Sequence, residues 1–307
     1  MPAGSNRRDG MERGLEFETW DVFTERRFAG NPLAVVFDAD ALGDETLLSI
    51  TREFDYSESV FVLTPDREGA DARLRIFTPG GELPFAGHPT VGAACAIARR
   101  RAIGGKLVLD LAAGRFPVDA GPGAPAWRAE FENPNLPAVQ AEGPAPECIE
   151  AALGLPGGSV DVGAERPRRA GAGIDFVYAR APLAAVRAAR LNAAAWDRLG
   201  IGDACGVLLY APADEPGVTW HVRMFGPHIG VAEDPATGSA AAGLPAQQSA
   251  AGALSDGEHE WLVAQGIEMG RPSRIRVRFC CADGRVERLR VGGPAVPVMA
   301  GRLAAEI

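Results

Sequence analysis

FTPGGELPFAGHPTVGAA (77–94) and FGPHIGVAEDPATGSAAAGL (225–244) share one grammar: a Phe-x-Pro, then a polar residue followed by Pro-x-x-Gly, then small residues. His88-Pro89-Thr90-Val91-Gly92 sets beside Asp234-Pro235-Ala236-Thr237-Gly238, and the matched prolines fall about half a chain apart. Proline suits the first turn of a helix, where its missing N–H has no partner to lose. The alanine-rich runs that follow are strong helix formers. The duplication therefore predicts two similar halves, each with a helix whose N-terminal end carries His88 or Asp234. The two stretches are expected to build facing halves of one active site.

Working outward, FETWDVFT and NPLAVVFD read as strands joined through the turn-rich ERRFAGNP, a hairpin. DETLLSITREF is a short amphipathic helix with Asp44 as N-cap. ESVFVL and ARLRIFTP are strands, and KLVLDLAAGRFPVDA returns to strand. The Pro/Gly-dense stretch from about 133 to 160, with one short helix, is the crossing between halves. Strands AGIDFVYARA, ACGVLLYAPA and TWHVRMFGP follow, with helical material in LAAVRAARLNAAAWDRLG. SRIRVRFC closes the chain with Ile275, Val277 and Phe279 alternating against Arg274, Arg276 and Arg278, which reads as a solvated strand face ahead of the alternative, an anion grip. The fold class is α+β: two pseudo-symmetric domains, each a curved, mostly antiparallel sheet wrapped around a central helix. The expected divisions are a disordered leader (1–14), a first domain (15–132) and a second domain (133–307), with the start of the chain's last segment able to pack back on the first.

The 307 residues are 47% hydrophobic and 23% charged, with a net charge of −9. That balance suits a globular chain of roughly two domains. It argues against a general nucleic-acid binder, which needs clustered Lys and Arg. Five cysteines without a Cys-x-x-Cys and four scattered histidines give neither a disulfide framework nor a zinc site, and a reducing cytoplasm follows. No apolar run is long enough to span a bilayer.

The opening turn of each helix offers free N–H groups and the positive end of its dipole, a ready site for a carboxylate. Taken alone, Asp234 is a good N-cap, His88 a buried imidazole and Ser239 a small residue in an alanine helix. Gly92 and Gly238, about one turn in, leave room for a ligand or another backbone. The candidate base is Glu58, which enters the apolar strand ESVFVL, where burial would raise its pKa; taken alone, the segment reads rather as a strand carrying a solvent-facing carboxylate. Glu82 is a competing acid, and Glu233 reads as a surface charge.

DVFTERRFAGNPLAVV, SESVFVL, FTPGGELPFAGHPTVGAA, GVAEDPATGSAAAGL and GIEMGRPSRI together resemble the PhzF-like proteins of phenazine biosynthesis, with the diaminopimelate epimerase fold. That resemblance implies a homodimer and an isomerase working without metal or organic cofactor, as in trans-2,3-dihydro-3-hydroxyanthranilate isomerisation. It implies a proton-shuttling Glu58 with His88 and Asp234 as catalytic partners. It also implies that Gly87, Gly238 and Ser239 contact a small carboxylic acid substrate. Related amino-acid epimerases use two cysteines at the helix starts; here His88 and Asp234 are expected in those places, with Cys95 further along its helix and Cys205 in a strand. The alternative is a non-catalytic, acid-binding or regulatory member that keeps the anion-binding helix starts and tolerates loss of Glu58.

Overall fold

The computed structural model describes residues 14–304, so the expected leader lies outside the described residues except for Gly14. The described residues divide into two compact units, 14–131 with 293–304, and 132–292. Compared with the expected boundary, the last segment of the chain belongs with the first unit.

The first unit contains β1 (Glu16–Val22), β2 (Asn31–Val36), α1 (Asp44–Phe54), β3 (Glu58–Leu63), β4 (Ala72–Thr78), β5 (Gly81–Leu83), α2 (Gly87–Arg101), β6 (Gly105–Leu111), β7 (Gly114–Gly121) and β8 (Trp127–Glu132). β1 and β2 form the antiparallel hairpin expected from their sequence. β2 runs parallel to β3, an arrangement that needs a crossover, and α1 supplies it. β3 pairs antiparallel with β4. β4 then takes β5 antiparallel and β6 parallel, and β7 and β8 extend the sheet antiparallel. Gly43, not Asp44, is the N-cap of α1; Asp44 is its first residue, an acid in the first turn that also accepts from Arg75 at 2.8 Å.

The second unit contains β9 (Ala138–Glu142), α3 (Pro146–Leu153), β10 (Arg168–Gly171), β11 (Asp175–Arg180), α4 (Leu183–Ala188), α5 (Ala193–Trp196), β12 (Val207–Pro212), β13 (Trp220–Gly226), β14 (Val231–Asp234), α6 (Gly238–Ala250), β15 (Gly257–Gln265), β16 (Ser273–Ala282) and the start of β17 (Arg285–Arg302). Its pairings repeat the first unit's plan. β10–β11 is antiparallel, β11–β12 parallel, β12–β13 antiparallel, and β13 takes β14 antiparallel and β15 parallel. β15–β16 and β16–β17 are antiparallel.

Two strands depart from the sequence reading. β9 lies inside the stretch expected as a plain crossing; all of it is exposed, so AVQAE carries no buried face to betray a strand. SRIRVRFC does not close the chain, because the long β17 follows it. The Gly-Gly-Pro at 292–294 hid this strand: residues 285–292 pair with β16 and residues 295–302 pair with β1. On β16, Ile275, Val277 and Phe279 are buried as expected. Arg274 on the other face is bonded to Glu215 at 2.6 and 2.7 Å.

Each unit wraps its sheet around one helix. Residues 87–98 of α2 are buried all round, and so are Gly238 and residues 240–248 of α6. A helix without a wet face has to be poor in charge, which the alanine runs provide. Gly92 lets α2 approach the side chains of Leu33 (2.5 Å from an added Cβ) and Val22 (2.8 Å), so it serves packing.

The strand pairings also set the register of the duplication. Ile76 faces Leu83, and Met224 faces Asp234; the helices start at Gly87 and Gly238. Pro84 therefore corresponds to Pro235, Gly87 to Gly238, His88 to Ser239, Gly92 to Gly243, and Asp234 to Leu83. The expected match of His88-Pro89 with Asp234-Pro235 is five residues out of step with this register. His88 is the second residue of α2 behind the N-cap Ala86, whereas Asp234 stands three residues ahead of the N-cap Thr237.

Candidate active site

Glu58 opens β3, and His88 sits in the first turn of α2. Within the first unit, His88 Nε2 lies 3.7 Å from Glu58 Oε2, and the two side chains are 5% and 18% exposed. Glu58 Oε2 is buried and has no hydrogen-bond partner among the described residues. Burial is the main reason the Glu58 carboxyl is pushed up to about 7, with the nearby Ser57 hydroxyl pulling partly the other way. Such a group exchanges its proton near neutral pH.

Two neighbours were not singled out from the sequence. Asn31, fully buried at the start of β2, places Nδ2 3.4 Å from His88 Nδ1. Ser57 Oγ donates to Asn31 Oδ1 at 3.2 Å, which turns the amide nitrogen toward the imidazole. An amide nitrogen only donates, so in this arrangement His88 Nδ1 accepts, which leaves a ring proton on Nε2, the nitrogen facing Glu58. The available signal was positional: GNP ends the β1–β2 turn, and SE opens β3, the strand parallel to β2.

The competing acids are accounted for. Glu82 is forked onto Arg75 at 2.6 and 2.8 Å. Glu233, expected as a surface charge, is forked onto Arg223 at 2.7 and 2.8 Å and is only 18% exposed. The buried Arg223 also donates to the carbonyls of Val186, Arg187 and Ala189.

Asp234, Gly238 and Ser239 belong to the second unit, Glu58, Gly87 and His88 to the first. Asp234 is buried at the end of β14 and accepts a bond from the Thr237 hydroxyl. Gly87 and Gly238 are the buried first residues of α2 and α6, and Ser239 is half-buried in the opening turn of α6. Neither N-cap side chain occupies its helix start: Ala86 has no polar atom, and the Thr237 hydroxyl is turned back to Asp234.

No cysteine stands at either helix start. Cys95 is buried within α2, and burial pushes its thiol far up. Cys205, expected within a strand, lies just before β12. Among the described residues no three His, Cys, Asp or Glu side chains are grouped to hold a metal ion. None of their helices is long and apolar enough to cross a membrane.

The α+β architecture of two duplicated, helix-centred units is shared with known proteins. The phenazine biosynthesis protein of the PhzF family from Bacillus anthracis matches with a TM-score of 0.84 at 25% identity, over 95% of this chain and 99% of its own. An uncharacterized isomerase of Mesorhizobium japonicum is 40% identical over 294 residues, 92% of this chain and 97% of its own. The trans-2,3-dihydro-3-hydroxyanthranilate isomerase of Pseudomonas aeruginosa is 34% identical over 92% of this chain and 96% of its own. The chain belongs to the phenazine biosynthesis-like family, PhzC-PhzF, whose profile matches residues 20–301. With relatives so named along nearly its whole length, it is an isomerase.

Proposed function

We propose that the chain is a cofactor-independent isomerase that moves a proton between two carbons of a small conjugated carboxylic acid, with Glu58 as the acid/base. The observation that carries this reading is the half-buried Glu58, held near neutrality 3.7 Å from the His88 ring. As a carboxylate, Glu58 takes a proton from one carbon; the electron pair left behind delocalises toward the substrate carboxylate. As a carboxylic acid, after exchanging that proton with solvent, it delivers a proton to a second carbon of the same system. One C–H bond breaks and one forms, the double bond shifts, and no electron leaves the molecule, so the scheme needs no redox partner.

His88 donates from Nε2 and stabilises the charge that develops during transfer. Asp234 orients the substrate and relays protons. The backbone at Gly87 and Gly238 and the Ser239 hydroxyl hold the substrate carboxylate, an anion suited to uncapped helix starts. The reading includes a cytoplasmic homodimer, which light scattering of the purified protein and cell fractionation would check.

The test is to incubate the protein with trans-2,3-dihydro-3-hydroxyanthranilate in heavy water and follow deuterium at carbon by mass. Uptake should accompany turnover and vanish in Glu58→Gln, which keeps the shape and removes the base. The wild-type kcat/KM should rise with pH through about 7 as Glu58 ionises. Full turnover by Glu58→Gln would overturn the assignment.

A further inference from the structure

Asp234 is held by a buried clamp drawn from its own unit. Thr237 Oγ1 donates to Asp234 Oδ2. Gln265, at the end of β15, donates from Nε2 to the Asp234 main-chain oxygen at 2.7 Å and to Thr237 Oγ1 at 2.9 Å. Its Oε1 accepts the Thr237 N–H at 3.0 Å. A hydroxyl has one proton and two acceptor lone pairs. With the Gln265 amide filling one lone pair, the Thr237 proton is left for the Asp234 carboxylate.

The duplicated unit shows that the fold does not require these polar groups. Ala72 pairs with Leu109 and Trp220 with Val263 at matching places on β4 and β13, which sets Leu111 opposite Gln265 in the comparison. Asp234, Thr237 and Gln265 thus correspond to Leu83, Ala86 and Leu111. The same three positions are apolar in one unit and form a buried polar network in the other. Burying such a network costs desolvation, which simple packing would avoid.

We propose that Thr237 and Gln265 are positioning residues that fix the Asp234 carboxylate in a single orientation, as a hydrogen-bond acceptor, for the reaction proposed above. The proposal rests on that reading for its catalytic consequence but not for its geometry, so two measurements separate them. The first is amide hydrogen exchange across residues 234–239 in Gln265→Met. Exchange at Thr237 should accelerate at least tenfold, and unchanged protection would overturn the clamp whatever the substrate.

The second is turnover of trans-2,3-dihydro-3-hydroxyanthranilate by Thr237→Val, Thr237→Ser and Gln265→Met, alone and combined with Asp234→Asn. Displacing a catalytic group costs on the order of 100-fold, so Thr237→Val and Gln265→Met should lower kcat by about 10- to 100-fold with KM changed less than threefold. Thr237→Ser keeps the hydroxyl and should restore most of the rate. In the Asp234→Asn background neither substitution should cost more, because its effect passes through the missing carboxylate. Equal losses in both backgrounds, or no loss in either, would overturn the positioning role. If the wild type leaves this compound unchanged, the isomerase reading fails for it, and hydrogen exchange decides the clamp.

Discussion

The two units follow the same sequence of strands, crossover helices and central helix, yet they differ at the positions where chemistry would be placed. At the start of β3 the first unit has Glu58; its counterpart before β12 is Gly206, because Ser59 faces Phe77 as Val207 faces Phe225. In the opening turn of the central helix the first unit has His88 and the second has Ser239. At the end of the short strand the order reverses, with Leu83 in the first unit and Asp234 in the second. The shared plan is carried by buried strands and alanine helices, whose residues answer to packing. Strand ends and helix starts do not repeat the same residues, and each unit carries a different polar set there on the same scaffold.

The sharpest break of this comparison is Glu58→Gln, which takes from the first unit the group the second lacks. Losing a general acid/base costs roughly 100- to 10,000-fold in rate, and kcat on the relative's substrate should fall by that much. The converse experiment is to give Gly206 a side chain. A Cβ there would meet the Phe225 carbonyl oxygen and, at 2.9 Å, the Met224 sulfur. Gly206→Ala should therefore destabilise the protein by about 3 kcal/mol, read by urea unfolding, at the upper end of overpacking costs. A neutral outcome would show that the second unit could have taken a carboxylate and that the asymmetry is not steric.

Glu58 should also mark itself through stability. A folded-state pKa raised to about 7 means the folded chain keeps a proton that the unfolded chain releases near 4.5. The associated stability is present below the unfolded value, is lost as pH rises through about 7, and stays lost above it. Glu58→Gln should thus match the wild type near pH 4.5 and exceed it at pH 8 by up to about 3 kcal/mol. Parallel melting curves at both pH values would deny the buried carboxyl. The triple change Asp234→Leu, Thr237→Ala and Gln265→Leu, which copies the first unit's apolar set, should cost activity while leaving unfolding free energy level or about 1–2 kcal/mol higher.

The smallest contrast concerns the packing glycines. Methyl groups at Gly92 meet only the ends of Leu33 and Val22, which can turn aside, whereas at Gly243 they meet the Tyr178 ring, its hydroxyl and the Gly171 backbone at 3.1 Å. Gly243→Ala should cost about 1 kcal/mol more than Gly92→Ala by denaturant melts.

Much of this was legible in the residues. Runs of β-forming residues between turn signals marked the strands of both units, and the alanine runs marked α2 and α6. Glu58 stood out as a carboxylate among Val60, Phe61, Val62 and Leu63. What misled was the likeness of His88-Pro89 to Asp234-Pro235: proline and a polar neighbour recur for local reasons, and residue identity does not report hydrogen-bond register. Strand β9 was hidden because none of its residues is buried, and β17 because Gly and Pro interrupt it where it passes from one unit to the other.

Composition, the doubled helix starts and the order of motifs were settled by the chain itself, since propensity and hydrophobic period act over a few residues at a time. Which residues correspond between the units, that Asn31 and Ser57 aim the His88 ring, and that Gln265 grips Asp234 from 31 positions away were decided only on folding. Those facts depend on backbone pairing and burial between segments distant in sequence, and no local pattern carries them.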